Sequence, residues 1–461
     1  MSIRNIIFAV ALASMAFVAT GATVERVFAR QMWPWQAHFE VSYVLRTLPA
    51  EAVDVSLKVS AGGDEYAIPA SELLGETAGL TAGEYKLVWV STASSVPTAA
   101  WLKAHSGRLV FSVVTTPSAS AAEYLVIDLS GGAEAASWPS ERMIGRPYGG
   151  WTDEYKTTKL VLRRIYAGGS GNIFSSATGV TFKFGCDSGA DQEYKCSFDF
   201  DAVDATLTND YWIGVFELTQ KQYQLITGTT VNPTKFTVGE TYPQANIGYY
   251  THMRGETVGL RWPRSSDVDE GSLMGILRAK VSLPSEIPSE WKFDLPTEAQ
   301  WEYACRAGTT GPWNNGGTYD VYVYEGTKES DHNLDLIGWN PGNSTSGGSP
   351  VGEKIANAWG LYDMHGNASE YCLDFNPSSA DRVSTGKSGF EPMGFAPSSY
   401  YTTSARVVKG GAYSADWTTI DDQKYWKGHR SCGHVKTVNG SASAYHACRI
   451  ALRNVKANVG N

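Results

Sequence analysis

Residues 360–375 constrain the fold of this chain more than any other segment. They read Gly-Leu-Tyr-Asp-Met-His-Gly-Asn-Ala-Ser-Glu-Tyr-Cys-Leu-Asp-Phe, so a glycine-containing turn lies between two carboxylates. A tight turn at Gly366 can point several backbone carbonyls inward, while Asp363 and Glu370 bring negative charge. Two further segments, residues 295–306 and 406–413, flank it in the sequence, and three ordered segments constrain the fold more strongly than one.

The three segments resemble, in order, motifs of the formylglycine-generating enzyme (sulfatase-modifying factor) family. Residues 295–306 read Leu-Pro-Thr-Glu-Ala-Gln-Trp-Glu-Tyr-Ala-Cys-Arg, and residues 406–413 read Arg-Val-Val-Lys-Gly-Gly-Ala-Tyr. The resemblance implies an α+β fold over residues 151–455, a loop-rich variant of the C-type lectin fold. Irregular segments at 229–265 and 306–352 would otherwise count against a compact domain, but this family's fold contains such loops.

Residues 1–22 have the pattern of a secretory signal peptide. Arg4 gives a positive start, residues 6–19 are apolar, and small residues follow at a cleavage site. The apolar run is shorter than the roughly 20 residues that a membrane-spanning helix needs. We therefore expect an exported protein, secreted, periplasmic or at the cell surface, with no membrane span in the mature chain.

Residues 23–116 predict a small all-β sandwich of the immunoglobulin-like type. Apolar and polar residues alternate at 39–44, 53–59 and 85–90, which places one face of each strand in a core. Turns rich in glycine separate these runs. Residues 117–150 are rich in Ser, Ala, Pro and Gly and are predicted to be a linker, interrupted by one strand-like run at Tyr124 to Leu129.

Two helices are predicted from capping boxes. Residues 219–222 (Thr-Gln-Lys-Gln) open the first, which Gly228 would end, and residues 297–300 (Thr-Glu-Ala-Gln) open the second, which Gly308 would end.

Carboxylates in and before the second helix are expected to be structural. Glu298 and Glu302 are four residues apart, which predicts a solvated helix face or bonds to the turn below. Asp294 stands before Leu-Pro, where the family usually has an arginine, so we expect that arginine's ion pair to be absent.

The family resemblance implies a calcium site in the turn. Its ligands would be the side chains of Asp363 and Glu370 and the backbone carbonyls of Gly366 and Ala368. Calcium takes six to eight oxygen ligands, and a turn of this composition can offer several. The alternative is that the polar groups only hydrogen-bond the turn itself.

The copper chemistry of the family's oxidases is expected to be absent. Those enzymes bind copper(I) with two cysteines that lie shortly after a Gly-Gly-Ser-Tyr segment. Here residues 410–415 read Gly-Gly-Ala-Tyr-Ser-Ala, so Ala412 replaces the serine and Ala415 the first cysteine. No cysteine occurs between Cys372 and Cys432. Because copper(I) selects soft thiolates, copper binding is not expected.

Six cysteines in an exported protein favour disulfides. Spacing alone leaves 15 pairings, but Cys186 and Cys196 enclose a short polar loop and are expected to pair. The family resemblance implies a bridge between Cys305 and Cys432, which leaves Cys372 with Cys448. An exchange of the last two partners is the main alternative.

A binding or surface recognition module is the favoured function. Residues 418–427 replace the copper loop, and Tyr425 and Trp426 would stack on a sugar ring or anchor a peptide, or else cover the core. The net charge of −9, without a Lys/Arg cluster, argues against nucleic acid, so the ligand would be protein or carbohydrate. The alternatives are an oxidase of sulfatase cysteines, or another metal-dependent oxidase of the superfamily, and a structural module of an envelope assembly.

Overall fold

The computed structural model describes most of the chain after the predicted signal peptide. Of the predicted site residues, Cys196, Tyr425 and Trp426 lie outside the described residues, as does Ala415. The described residues are 22–32, 38–48, 51–91, 95–118, 121–167, 175–186, 201–257, 262, 265–324, 328–344, 347–375, 389–390, 406–414, 429–433 and 442–455.

The N-terminal part consists of two antiparallel sheets. A four-stranded sheet has the order β1-β2-β6-β5, and a three-stranded sheet has the order β4-β3-β7. A short helix, α1 (Ala99–Ala104), precedes the last strand. The strands are β1 (Thr23–Gln31), β2 (His38–Arg46), β3 (Val53–Ala61), β4 (Asp64–Ile68), β5 (Leu73–Leu74), β6 (Gly83–Val90) and β7 (Val110–Pro117).

Alternating residues of the two N-terminal sheets pack together. Val41 and Trp89 of the first sheet share a buried cluster with Leu57, Val59 and Phe111 of the second. Side chains of a strand point alternately to its two faces, so the period-2 pattern supplies one apolar face per sheet.

The larger part is built on a seven-stranded sheet of order β14-β9-β8-β10-β13-β24-β15. All of its pairs are antiparallel except β14 with β9. Its strands are β8 (Glu123–Asp128), β9 (Trp138–Ile144), β10 (Lys159–Ile165), β13 (Tyr211–Gly214), β14 (Val281–Ser282), β15 (Trp291–Asp294) and β24 (Ala451–Asn454).

The strand-like run predicted within residues 117–150 is confirmed as β8, but the segment also contains β9 and is part of the sheet instead of a linker. Strand β8 pairs with both β9 and β10, and Tyr124 to Ile127 are buried on both faces of the sheet. A strand with apolar side chains on both faces must be packed against other elements on both sides. A linker in solvent would leave those side chains exposed.

Smaller sheets surround this core. Strand β20 pairs with β22 in antiparallel and with β23 in parallel orientation. The remaining strands are β11 (Ser175–Phe184), β12 (Val203–Asn209), β16 (Val321–Tyr324), β17 (Lys328–Asp331), β18 (Gly338–Trp339), β19 (His365–Gly366), β20 (Ser369–Phe375), β21 (Gly389–Phe390), β22 (Arg406–Lys409) and β23 (His446–Ala447).

Both predicted capping boxes are confirmed. Thr219 caps α2 (Gln220–Thr227), which ends at Gly228 in the left-handed conformation, as predicted. Thr297 caps α4 (Glu298–Arg306), but this helix ends at Ala307, one residue before the predicted Gly308. The other helices are α3 (Leu273–Lys280), α5 (His332–Ile337) and a π-helix at Tyr249–Arg254.

Asp294 is the centre of a buried ionic cluster that the sequence analysis did not predict. Its carboxylate accepts hydrogen bonds from Arg254 at 2.8 Å, Arg278 at 3.1 Å and Arg453 at 3.4 Å. Burial opposes the charged form, but the three guanidinium groups outweigh it and lower the pKa of Asp294. The arginines come from three surrounding segments of the chain.

We predict that Asp294→Asn destabilises the protein by about 3–5 kcal/mol, because it leaves three arginines without their shared counter-charge. Urea unfolding at neutral pH measures the loss. The matched control is Asp204→Asn, whose carboxylate forms an exposed pair with Lys183 and whose loss should cost less than about 1 kcal/mol. Equal effects of the two substitutions would contradict the assigned role of Asp294.

Candidate functional site

The three sequence motifs meet in one buried unit. Trp301 of α4 donates from its indole Nε1 to a carboxylate oxygen of Glu370 at 2.7 Å. The backbone N–H of Gly366 donates to the carbonyl of Gly410 at 2.6 Å, and that of Tyr413 donates to the carbonyl of Asn367 at 2.8 Å. Segments distant in sequence therefore fix one another, and the turn lies at their centre.

The turn is as tight as its sequence predicts. Asp363, Gly366 and Asn367 all have positive φ, at 55°, 88° and 59°. A Cβ atom on Gly366 would lie 2.0 Å from the carbonyl oxygen of Trp339 on the neighbouring strand β18. Only glycine combines this φ with this close approach.

Glu370 binds Arg449, a residue that the sequence analysis did not single out. The Arg449 Nη2 atom donates to Glu370 Oε1 at 2.8 Å, and its Nε lies 3.1 Å from Oε2. Both side chains are fully buried. With Trp301 also bonded to Oε2, both oxygens of Glu370 are occupied by donors. Charge-assisted bonds of this kind are among the strongest in proteins.

The rest of the Arg449 guanidinium is surrounded by backbone oxygens. Nη1 donates to the carbonyls of Gly214 and Val215 at 2.8 and 2.9 Å, and Nη2 donates to that of Tyr362 at 2.8 Å. A single side chain thus ties the end of β13 to the turn and to β20. Arg449 lies two residues before β24 and directly after Cys448, so it brings the end of the described chain against the turn.

Two more carboxylates lie beside this pair. Glu217 accepts from the backbone N–H of Ala368 at 2.7 Å and from the side-chain amide of Asn367 at 2.7 Å. Asp363 accepts from the backbone N–H of Gly352 at 2.6 Å through one oxygen, while its other oxygen, Oδ1, is buried without a hydrogen-bond partner. Glu217 was missed because it follows a strand more than 140 residues before the turn.

Burial sets the protonation of these two groups. It raises the pKa of Asp363 to about 6. Burial, followed by the charges of Asp363 and Glu370, raises the pKa of Glu217 well above its usual range. Three carboxylates around one guanidinium leave an excess of negative charge, which protonation relieves.

The predicted calcium ligands are only partly arranged for a cation. Asp363 offers an unbonded oxygen, and the local excess of negative charge suits a cation. Glu370, however, has both oxygens bonded to Arg449 and Trp301. Among the described residues, no three His, Cys, Asp or Glu side chains are placed to hold a metal ion together. The four-ligand set does not fit in this arrangement, and calcium binding stays a prediction in which Asp363 is the available carboxylate.

A second ionic cluster lies beneath the helix α4. Glu302 accepts from Lys409 Nζ at 3.1 Å, from Arg306 Nε at 2.9 Å and from the backbone N–H of Gly185 at 2.9 Å. Glu298 and Glu302 are both buried, so the predicted solvated face is wrong. Strand β22 covers the helix and brings Lys409 against it, and that contact comes from a segment 100 residues away.

The disulfides predicted for Cys305, Cys372 and Cys448 are not formed, because these three residues are buried free thiols. Cys372 and Cys448 pack in different hydrophobic clusters, on opposite sides of β20. Side chains alternate along a strand, and Tyr371 and Leu373 take the side on which Cys448 lies.

The pairing of Cys305 with Cys432 is also wrong. The Cys305 sulfur lies 3.5 Å from Nε2 of His365 and 3.8 Å from the hydroxyl of Ser431. Cys432 lies beside Arg430, whose Nη1 is 3.7 Å from the sulfurs of both Cys432 and Cys186. The predicted bridge from Cys186 to Cys196 is not tested, because Cys196 lies outside the described residues.

The segment that corresponds to the family's copper loop is packed into the protein. Ala412 is fully buried, and the ring of Tyr413 packs edge-on against Phe236 at 4.9 Å. The hydroxyl of Tyr413 donates to the carbonyl of Lys235. As far as it is described, this segment offers backbone and aromatic groups, which are not ligands for copper(I).

A comparison with known protein families identifies the family to which the three motifs belong. A model described as "Sulfatase-modifying factor enzyme 1-like domain" matches residues 175–437, which is more than half of the chain. The protein therefore belongs to the sulfatase-modifying factor (formylglycine-generating enzyme) family, and the assignment predicted from the three motifs is confirmed.

Curated relatives match parts of the chain. Chaperone protein LppX of Paenibacillus barcinonensis is 27% identical over 220 residues, which cover 42% of this chain and 74% of that protein. The formylglycine-generating enzyme of Thermomonospora curvata is 28% identical over 164 residues, 34% of this chain and 48% of the enzyme. That of Mycobacterium tuberculosis is 35% identical over 119 residues, 24% of this chain and 38% of the enzyme. The match thus spans less than half of either enzyme.

Two solved structures align with part of the chain at low similarity. Treponema denticola variable protein 1 aligns with a TM-score of 0.40 at 21% identity, over 64% of this chain and 95% of its own. PvdO from Pseudomonas aeruginosa aligns with a TM-score of 0.41 at 16% identity, over 66% of this chain and 97% of its own.

Within the described residues, no helix is both long and apolar enough to span a membrane.

The raised pKa of Asp363 predicts a pH-dependent stability. Between about pH 4, the usual pKa of aspartate, and pH 6, the folded protein binds more protons at this site than the unfolded chain does. The free energy of unfolding therefore falls as pH rises through this window. Asp363→Asn should flatten that slope and stabilise the protein at pH 7.5 by roughly 1–3 kcal/mol, since the amide oxygen can still accept from Gly352.

Urea unfolding in EDTA at several pH values between 4 and 7.5 measures this slope. Glu65→Gln is the control, because Glu65 forms an exposed pair with Lys58. An unchanged slope in Asp363→Asn would contradict the assignment. Repeating the series in millimolar calcium tests the calcium prediction: a stabilisation seen in the wild-type protein and lost in Asp363→Asn would support it, and no stabilisation would exclude it.

Proposed function

We propose that this protein is a divergent family member that recognises a ligand and does not carry out copper-dependent oxidation. The observation that carries the proposal is the burial of its cysteines. All five described cysteines have 0% of their surface exposed: Cys186, Cys305, Cys372, Cys432 and Cys448. Only Cys196 lies outside the described residues, and one cysteine cannot supply a pair of thiolates.

The chemistry of the thiols supports the same conclusion. Copper(I) binds thiolates, so a suitable cysteine needs a lowered pKa and access to solvent. Burial instead raises the pKa of Cys305 to about 12 and that of Cys372 well above its usual value. These cysteines therefore behave as small apolar side chains that fill the core.

The buried ionic clusters of the fold and the match to one relative favour a binding role over the oxidase and the structural-module alternatives. The buried ionic clusters hold the family domain rigid, and rigid scaffolds present loops for recognition. Chaperone protein LppX matches over 74% of its length, and a chaperone acts through binding. In this proposal the protein is exported, its residues 23–116 form the predicted immunoglobulin-like domain, and Tyr425 and Trp426 contact a protein or carbohydrate ligand.

We predict that the folded protein forms no formylglycine. The purified protein is incubated with copper(I) and a peptide that carries a sulfatase-type cysteine, and aldehyde formation is measured by mass spectrometry. The enzyme of Thermomonospora curvata serves as the positive control. Alkylation of the native protein should label at most one cysteine, because the five described cysteines are fully buried in the folded protein.

Aldehyde formation by the wild-type protein would overturn the proposal in favour of the oxidase alternative. Variants Cys305→Ser and Cys372→Ser would then show whether a described thiol takes part. Self-association into large assemblies with no ligand bound would instead favour the structural-module alternative, and size-exclusion chromatography with light scattering measures it.

A further inference from the structure

Two buried cysteines meet at one guanidinium in the family domain. The Nη1 atom of Arg430 lies 3.7 Å from the sulfur of Cys186 and 3.7 Å from the sulfur of Cys432. The two sulfurs are therefore separated by at most twice this distance. All three residues are fully buried, and the structure holds both cysteines in the reduced form.

Backbone hydrogen bonds hold both cysteines at this place. Cys186 follows β11, and the N–H of its neighbour Gly185 donates to Glu302 Oε1 at 2.9 Å. On the other side, the N–H of Ser431 donates to the carbonyl of Pro312 at 2.8 Å. Two segments that are far apart in the sequence are thus held against each other in the folded protein.

Positive charge surrounds the sulfur of Cys432. Arg430 contacts it directly, and Arg306 and Lys409 interact with it electrostatically. The thiolate is the form of cysteine that attacks a disulfide, and neighbouring lysine and arginine side chains stabilise it. These cations therefore favour the first step of thiol–disulfide exchange at Cys432.

Cys305, the partner of Cys432 that the family resemblance implies, has different surroundings. Its sulfur lies 3.5 Å from Nε2 of His365 and 3.8 Å from the carbonyl oxygen of Met364. Burial raises the pKa of the Cys305 thiol to about 12, so this residue supplies almost no thiolate at neutral pH. The contacts of Arg430 therefore favour Cys186 as the partner of Cys432.

We propose that Cys186 and Cys432 form a disulfide with each other as the exported chain folds. The oxidant is another disulfide, carried by a small thiol compound or by a thiol oxidoreductase. The Cys432 thiolate attacks it and releases one thiolate, which leaves a mixed disulfide on the protein. The Cys186 thiolate then attacks the sulfur of Cys432 and releases the second thiolate, so that the protein loses two protons and two electrons.

The exchange takes place before the two segments close around the site, because both cysteines are fully buried in the folded protein. The proposal rests on the proposed export, since disulfides persist in oxidising compartments. It replaces the predicted pairing of Cys186 with Cys196.

The bridge also bears on the proposed recognition role. Residues 429–433 closely follow the insert at 418–427 in the sequence, so a covalent bond at Cys432 holds the chain that leaves this insert against the end of β11. A crosslink between residues so far apart also restricts the unfolded chain, and the restriction grows with the length of the loop that it closes.

Peptide mapping of the full mature chain tests the pairing. One preparation is recovered from the periplasm of a bacterial host after export by the predicted signal peptide, and a second is refolded from urea in oxidised and reduced glutathione. Thiols are alkylated with N-ethylmaleimide under denaturing conditions, and the protein is digested without reductant. Trypsin cleaves after Lys and Arg, so Cys186, Cys196, Cys305 and Cys432 fall in four different peptides.

We expect both preparations to contain the peptides of Cys186 and Cys432 linked to each other, with the other four of the six cysteines alkylated. Reduction with dithiothreitol should lower the urea concentration at the midpoint of unfolding, because the unfolded chain is then no longer restricted. Cys186→Ala and Cys432→Ala should each abolish the link and this shift. The matched control is Cys448→Ala, an equally buried cysteine of another cluster, which should keep both.

Three results would overturn the proposal, and the first two need no variant that folds. They are alkylation of all six cysteines in the protein refolded with glutathione, a linked peptide that joins either cysteine to Cys196 or Cys305, and a link that persists in Cys432→Ala. A correct link in the refolded protein that is missing from the exported one would confirm the pairing and contradict the proposed export. None of these results depends on the copper experiment, so the two proposals fail separately.

Discussion

The ion pair between Glu370 and Arg449 is the interaction on which the family domain depends. It joins the glycine turn to α4 through Trp301, and it joins both to β13 through the carbonyl oxygens of Gly214 and Val215. A buried ion pair is not in itself a source of large net stability, because desolvation offsets much of the attraction. Its effect here is to select one arrangement, since any other leaves a charge or a carbonyl without a partner in the core.

Buried ion pairs also select one arrangement beneath α4 and around Asp294. In both places a carboxylate on one element is met by lysine or arginine from segments far away in sequence. Lys409 of β22 contacts Glu302, and Arg453 of β24 contacts Asp294. A chain with so many loops has few packing contacts between regular helices and strands. In these two places, buried ion pairs fix the positions of the segments relative to one another. Cys305, Cys372 and Cys448 pack in the core as small apolar side chains, and neither predicted bridge, Cys305 with Cys432 or Cys372 with Cys448, is formed.

Local signals in the sequence predicted local structure well. The capping boxes of Thr219 and Thr297 and the turn at Gly366 depend on residues a few positions apart, and the structure contains all three. Failures came where the partner is distant. No residue near Glu302 in the sequence indicates its contact with Lys409. Likewise, no residue near the turn indicates its contacts with Glu217 and Arg449. The cysteine pairing failed for the same reason, because the side of β20 that each thiol faces is set by the packing of the whole sheet.

The divergence of this protein follows from which parts of the family scaffold it keeps. The turn, α4 and the Gly-Gly segment remain, because each is bonded to the other two and the loss of one would leave buried groups unpaired. Ala412, within the Gly-Gly segment, is fully buried, so a small apolar side chain packs at the position where the family resemblance places a serine. The shared hydrogen bonds and ion pairs therefore constrain the three segments together, whereas a single side chain that packs between them can differ from the family's.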